Sequence, residues 1–419
     1  MTRALALAAV LLCACAPTQL RYDALPAHCQ TPDPVALAQA ARQSLVLVPY
    51  HPRALYDVDG RGGAVPLRAG SLPPDALAVL SYPDPQRFAG GNVDFARMAQ
   101  RSFVYDDALT ALWLAHAGDL ARARRVLATL AALQNPDGTW GFGFNTGADD
   151  GFYNAGYVRT GTVAWALYAF AHYEKLSGDK QFAATVQRGV AWLLRQQDPA
   201  TGLFYAGAGR WRDPGHFEPS WPARFFATEH QIDVWFALQA LAPLRPALPL
   251  TQRAQTLREA LFRRLWLPAE QRFAQGLSAT GSVDGESALD ASGTWAALWL
   301  LAVGDPARAA QALAWVATRH GTTAQGWPGL RPYLAMAPDT WFVEGSIAQP
   351  LALARLGQPV AAHWQPLLQL ACAGGLPVVY APDWHADFPL SPATAPTIWW
   401  LIAAQELQPQ SAPWLWAER

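Results

Sequence analysis

Past residue 90 the chain repeats one unit every ~50–70 residues, and a period of that size means an array of like supersecondary pieces. Each unit has an apolar, Trp-rich helix, a short turn and a more amphipathic helix, followed by a loop rich in glycine and aromatic residues. The first helices read Tyr105–Ala117, Thr160–Leu176, Thr228–Leu241, Ala288–Val303, Val343–Leu356 and Ser391–Ala404. Their partners read Leu120–Leu133, Phe182–Arg195, Thr251–Leu265, Pro306–Thr318 and Val360–Cys372. The turns between them include Gly118-Asp119, Gly178-Asp179 and Gly304-Asp305, and Gly357 closes a fifth. Pro34–Leu47 supplies one more helix, which pairs with Ser391–Ala404 if the ring closes, giving twelve helices in six hairpins. A helix that is apolar all round is buried, and a one-sided helix lies outside it. Two concentric rings, inner and outer helices alternating along the chain, are the natural packing. Val48–Asn92, with many Pro and Gly, forms a long irregular segment to which periodicity assigns no fold.

The third inner helix is the sharpest case. Thr228 stands where it accepts from the third helical N–H, and Gln231 stands where it reaches back to the cap, which is capping-box spacing. Behind that start nearly everything but Asp233 and Gln239 is apolar, so Glu229, His230 and Asp233 sit at the mouth of a helix that enters a core.

Thr2-Arg3 and the apolar run Ala4–Leu12 have the form of a secretory signal, too short to span a membrane. Leu12-Cys13-Ala14-Cys15 resembles the lipobox of bacterial lipoproteins, which implies cleavage before Cys15 and a lipid on its thiol. The expected organisation is a signal over residues 1–14, a lipidated tether over 15–32 and a single domain over 33–419, held in the cell envelope by that lipid. Cys29 and Cys372 then remain, and in an exported protein they are a candidate disulfide. No Cys or His falls at ligand spacing, so no metal site is expected, and the expected chemistry uses no cofactor. With 31 basic and 32 acidic residues there is no basic field for nucleic acid. The 52% hydrophobic content supplies a large core.

This layout resembles the six-hairpin glycosidase superfamily, the all-α (α/α)6 barrels, over roughly residues 33–407. Tyr105-Asp106-Asp107-Ala108-Leu109, Thr228-Glu229-His230, Leu289-Asp290-Ala291 and Trp341-Phe342-Val343-Glu344-Gly345 look like an exported branch of it. The resemblance implies a cleft where the inner helices start, binding an oligo- or polysaccharide and cleaving it with carboxylates.

First turns should then carry the polar chemistry. Acids open four of the six inner helices, and glycoside cleavage needs one protonated and one ionised carboxyl across the scissile bond. The catalytic candidates, in order, are Glu229, Asp107, Glu344 and Asp290. Each also fits a plainer role as a cap or as a partner of Arg159, Arg224 or His230. For sugar binding, the loops at the same end offer Trp140, Phe142, Asp149, Asp150, Tyr153, Tyr157, Arg159, Trp211, Trp221, Trp327, Trp341 and Trp384, with His230. Flat rings suit the C–H faces of sugars and polar groups take the hydroxyls. Trp113, Trp165, Trp192, Trp235 and Trp299 lie within helices and read as core.

Three rival readings stand beside a monomeric hydrolase. A polysaccharide lyase would use Tyr153, Tyr157 or His230 with Arg159 against a uronate. A non-catalytic scaffold would bind exopolysaccharide without turnover. A terpenoid-cyclase-like toroid is suggested by Gln134–Gly141, which resembles the Gln-Trp motif of those enzymes, although no Asp-x-Asp-Asp motif is present.

Overall fold

The structure, a computed structural model, describes residues 33–58, 63–67, 72–83, 98–213, 216–324, 326–372, 375–380, 392–408 and 415–416. The signal, Cys15 with its tether, Cys29 and Trp384 lie outside the described residues. Cys372 is disulfide-bonded.

Twelve helices among the described residues form a closed (α/α)6 barrel. In chain order they are α1 (Pro34–Ser44), α2 (Val104–His116), α3 (Leu120–Leu133), α4 (Thr160–Ser177), α5 (Ala183–Arg195) and α6 (Thr228–Leu241). Then come α7 (Leu250–Arg264), α8 in two pieces (Leu289–Ser292 and Thr294–Ala302), α9 (Pro306–Arg319), α10 (Val343–Arg355), α11 (Ala361–Cys372) and α12 (Thr394–Glu406). Even-numbered helices make the inner ring, each packed on the next and α12 closing on α2. Odd-numbered helices make the outer ring.

Burial follows the two sequence types. In α4 every residue from Thr160 to Glu174 is buried, whereas α5 buries only the stripe Thr185, Val186, Gly189, Val190, Trp192 and Leu193. The turn glycines and the aspartates that follow some of them do two jobs. Gly118, Gly178, Gly304 and Gly357 adopt left-handed φ of 84, 72, 81 and 68°, ending four inner helices where a side chain would be strained. Asp119 and Asp305 then cap α3 and α9 by accepting from the Arg122 and Arg308 N–H groups. The inner helix α8 breaks at Gly293, where a Cβ would stand 2.2 Å from Val316 Cγ1.

At the other end, the inner helices all start the same way. The first residue donates its backbone N–H to a carbonyl in the loop that follows its own outer partner. The pairs are Val104 to Phe142, Thr160 to Ala206, Thr228 to Gln275, Leu289 to Pro332, Val343 to Val378 and Thr394 to Ser81. The last pair closes the ring, because Ser81 lies in the loop after α1. This clamp also corrects the capping-box expectation. Thr228 is already helical and its hydroxyl donates to Ala274 O, while Gln231 holds the backbone of Phe204 through both N–H and C=O. The helix takes no side-chain cap, since the loop carbonyl satisfies the donor a cap would have met.

The segment without periodicity is this same kind of loop. Leu47–Pro49 pairs with Leu77–Val79, and Leu55–Val58 pairs with Ala64–Leu67. Val79 N–H donates to Asp107, fixing the loop to α2.

Candidate active site

A cavity of about 420 Å³ opens where the inner helices begin. The clamp sets its wall. Because the first residue of each inner helix is tied back to a loop, the second faces inward in all six: Tyr105, Gly161, Glu229, Asp290, Glu344 and Ala395. The third contributes Asp106, Thr162, His230 and Gly345. One turn deeper lie Trp165, Asp233, Trp295 and Trp399. Five carboxyls thus share one space, and no Lys or Arg lines it among the described residues.

The acids divide into two groups. Glu229 on α6 faces Asp290 on α8 and Asp233 one turn below it. Glu229 has no hydrogen-bond partner among the described residues, and its pKa rises through burial alone. Asp290 is pushed up to about 7 by burial and then by the Glu229 charge, against a hydrogen bond from Thr294. Burial, with the Glu229 charge second, holds Asp233 well above the carboxylate range, although Trp295 Nε1 donates to it at 3.0 Å. On the far side, Glu344 is raised to about 8 by burial and by Asp106 and Asp290, and accepts from Tyr105 Oη at 3.1 Å. Trp399 Nε1 in turn donates to Tyr105 Oη at 2.6 Å. Burial lifts Asp106 to about 7, opposed by a hydrogen bond from Ser81. His230 is driven down to about 4 by burial and by Arg159, so it is neutral at pH 7. Glycine keeps the ring open. A Cβ at Gly161 would stand 2.7 Å from Asp233 Oδ2, and one at Gly345 2.6 Å from Asp290 Oδ1.

Of the four sequence-derived catalytic candidates, the cavity brings together Glu229, Asp290 and Glu344. Asp107 points away from it. The Asp107 carboxyl is fully buried behind α2, accepting from Val79 N–H at 2.9 Å and Ser102 Oγ at 2.5 Å, and its neighbour Asp106 takes the inward position.

Phe142 and His230 line the cavity, and Tyr157 packs edge-on against Phe142 at 5.4 Å. Arg159 places its guanidinium carbon 3.9 Å from the Tyr157 ring centroid, and one nitrogen donates to the carbonyls of Val158, Ala208 and Gly209, so it serves the loop. Trp140 is core, its Nε1 donating to Leu130 O, and Tyr153 is buried, accepting from Gly141 N–H. Trp341 is also core, bonded to Ser346 Oγ and stacked on Trp327. Asp149 pairs with Arg53 on the surface, while Asp150 accepts from Tyr56 and Asn145. Trp211 lies over Phe217, and Trp221 lies under Arg210, both outside the cavity lining.

The matched family model is the squalene-hopene cyclase C-terminal domain, over residues 104–246. No curated protein matches the chain in sequence. Among solved structures, a D-mannose isomerase superposes with a TM-score of 0.59 at 10% identity, covering 91% of this chain and 98% of that one. An unsaturated glucuronyl hydrolase specific for heparin gives 0.53 at 10% identity, covering 88% and 93%. A family 76 glycoside hydrolase from a bovine Bacteroides thetaiotaomicron strain gives 0.53 at 9% identity, covering 90% and 78%. At these identities the likeness establishes the six-hairpin toroid fold.

Proposed function

We propose that this chain is a glycoside hydrolase that cleaves an oligo- or polysaccharide between Glu229 and Asp290. The observation that supports it is the ring of carboxyls in one aromatic-walled cavity, where burial raises Glu229 and Asp290 alike and the Glu229 charge raises Asp290 further. Ionised Glu229, at a helix N-terminus whose dipole favours a negative charge, activates water or attacks the anomeric carbon. Asp290, protonated beside that charge, donates to the leaving oxygen. Water's hydroxyl ends on the sugar carbon and its proton replaces the one Asp290 gave up. The neutral His230 ring, Glu344 and Asp106 hold sugar hydroxyls, and the Trp165, Trp295 and Trp399 faces take the apolar side of the ring.

The lyase alternative needs a cation to neutralise a uronate, and no Lys or Arg lines the cavity among the described residues. Turnover on a panel of glycans tests the proposal through its pH profile. If Asp290 is the acid, kcat/KM is flat below about 7 on that limb and falls above it as the proton is lost. A rate that holds steady from pH 6 to 9 overturns the assignment of Asp290.

The same reading places the enzyme in the cell envelope, lipid-anchored at Cys15, supported by the Ala4–Leu12 run and Leu12-Cys13-Ala14-Cys15. Labelled palmitate is expected to enter the wild type and not Cys15→Ala. An unlabelled wild type removes the anchor from the proposal.

A further inference from the structure

Six inner helices around an axis leave a bore, and below the cavity that bore is closed by a ring belonging to none of the helices. Trp416, in the segment after α12, is fully buried. Its indole stacks on Trp399 with 4.2 Å between centroids and 21° between planes. It meets Trp295 and Trp165 edge-on at 5.4 and 6.1 Å. Those three tryptophans line the cavity and Trp416 does not, so it stands one layer behind them.

The chain holds Trp416 there against its own preferences. Its φ is +52°, in the left-handed region, and its buried Nε1 has no hydrogen-bond partner among the described residues. Its backbone is pinned on both sides: the N–H donates to Tyr168 Oη at 3.2 Å, and the carbonyl accepts from Arg355 Nη1 at 2.8 Å. A strained backbone and an unmet donor persist only where the surroundings impose them, and at such a place they point to a role for the side chain. The indole meets Trp399, Trp295 and Trp165 through its ring, so that role belongs to the ring faces.

We infer that Trp416 is the stopper of the cavity, a positioning residue that holds Trp165, Trp295 and Trp399 as a floor and fixes how far a glycan end can sink. The inference rests on the cavity being the glycan site. Without the indole, the floor has no backing and the cavity continues into the vacated space. A hole of that kind, lined by apolar side chains, stays dry and takes up a small aromatic molecule.

The experiment uses the full chain with Trp416→Gly and Trp416→Phe, and indole as the probe. Indole is expected to raise the melting temperature of Trp416→Gly and leave the wild type unmoved. On a glycan the wild type cleaves, the ratio of kcat/KM for the trisaccharide over the disaccharide is expected to rise about tenfold in Trp416→Gly, the scale on which one pocket group discriminates. That ratio should return toward the wild-type value with saturating indole and stay unchanged in Trp416→Phe. A variant that loses both substrates equally shows a merely structural residue and overturns the inference. So does a folded Trp416→Gly that indole does not stabilise. If Trp416→Gly fails to fold, Trp416→Leu carries the same comparison of chain lengths. If the wild type cleaves no glycan, the hydrolytic reading falls, and the indole titration alone still decides whether Trp416 is a stopper.

Discussion

Replacing Glu229 with glutamine is expected to lower kcat by roughly 10²–10⁴-fold on any glycan the wild type cleaves, with little change in glycan binding or thermal stability. Glutamine keeps the volume and loses the negative charge. Glu229 can be neutralised cheaply because it has no hydrogen-bond partner among the described residues to strand. The change also has a second signature. Asp290 and Asp233 are both raised partly by the Glu229 charge, so in Glu229→Gln their pKa values fall. Any residual activity that depends on a protonated Asp290 should therefore lose its rate at a lower pH than the wild type does. Turnover of Glu229→Gln within a few-fold of the wild type would remove Glu229 from the chemistry.

The largest expected effect on stability lies at the opposite end of the barrel. Arg355 and Glu406 form a two-pronged ion pair at 2.7 and 2.9 Å, with side chains only 8% and 3% exposed. The same guanidinium also donates to the carbonyls of Leu415 and Trp416. Arg355→Met leaves a buried carboxylate and two carbonyls without their donor. Breaking a buried pair from one side costs about 3–5 kcal/mol, read as a shift in the urea midpoint at constant slope. The double variant Arg355→Met/Glu406→Leu should recover much of that loss, because the stranded charge is gone. A double variant less stable than the single one would show that the pair is not the source of the effect.

Helix positions were legible because two kinds of periodicity alternate. Leu120–Leu133 and Thr228–Leu241 run over the same residues in sequence and structure, since each is bounded by a turn glycine or a short extended stretch. The rotation of a helix is harder to read. Asp106 and Asp107 both open α2, and consecutive residues differ by about 100° around the axis. One faces the cavity and the other a buried loop, and hydrophobicity does not separate them because both surroundings are apolar. A usable signal lay in the six starts taken together. Aligning Val104, Thr160, Thr228, Leu289, Val343 and Thr394 as equivalent first residues puts Tyr105, Glu229, Asp290 and Glu344 in one inward register.

Trp165 was hidden for the same reason. A helix buried on all sides looks alike whether one side meets protein or a cavity. Trp140, Tyr153 and Trp341 erred in the other direction, because a glycine- and aromatic-rich loop can fold its rings inward as easily as display them. The segment after α1 shows no pattern because its strands are three and four residues long.

The backbone clamp at the inner-helix starts bears on how such a site can change. The six N–H to carbonyl bonds that orient the helices use main-chain atoms only. The side chains at the second position take no part in them. Tyr, Gly, Glu, Asp, Glu and Ala already occupy these six equivalent sockets in this one chain. Exchanging one of the side-chain-bearing occupants for another of like size alters the charge and shape inside the ring while leaving the joint that holds it intact. Chemistry and architecture are thus written in separate atoms, and a toroid built this way can acquire a new reaction one socket at a time without first having to solve its fold again.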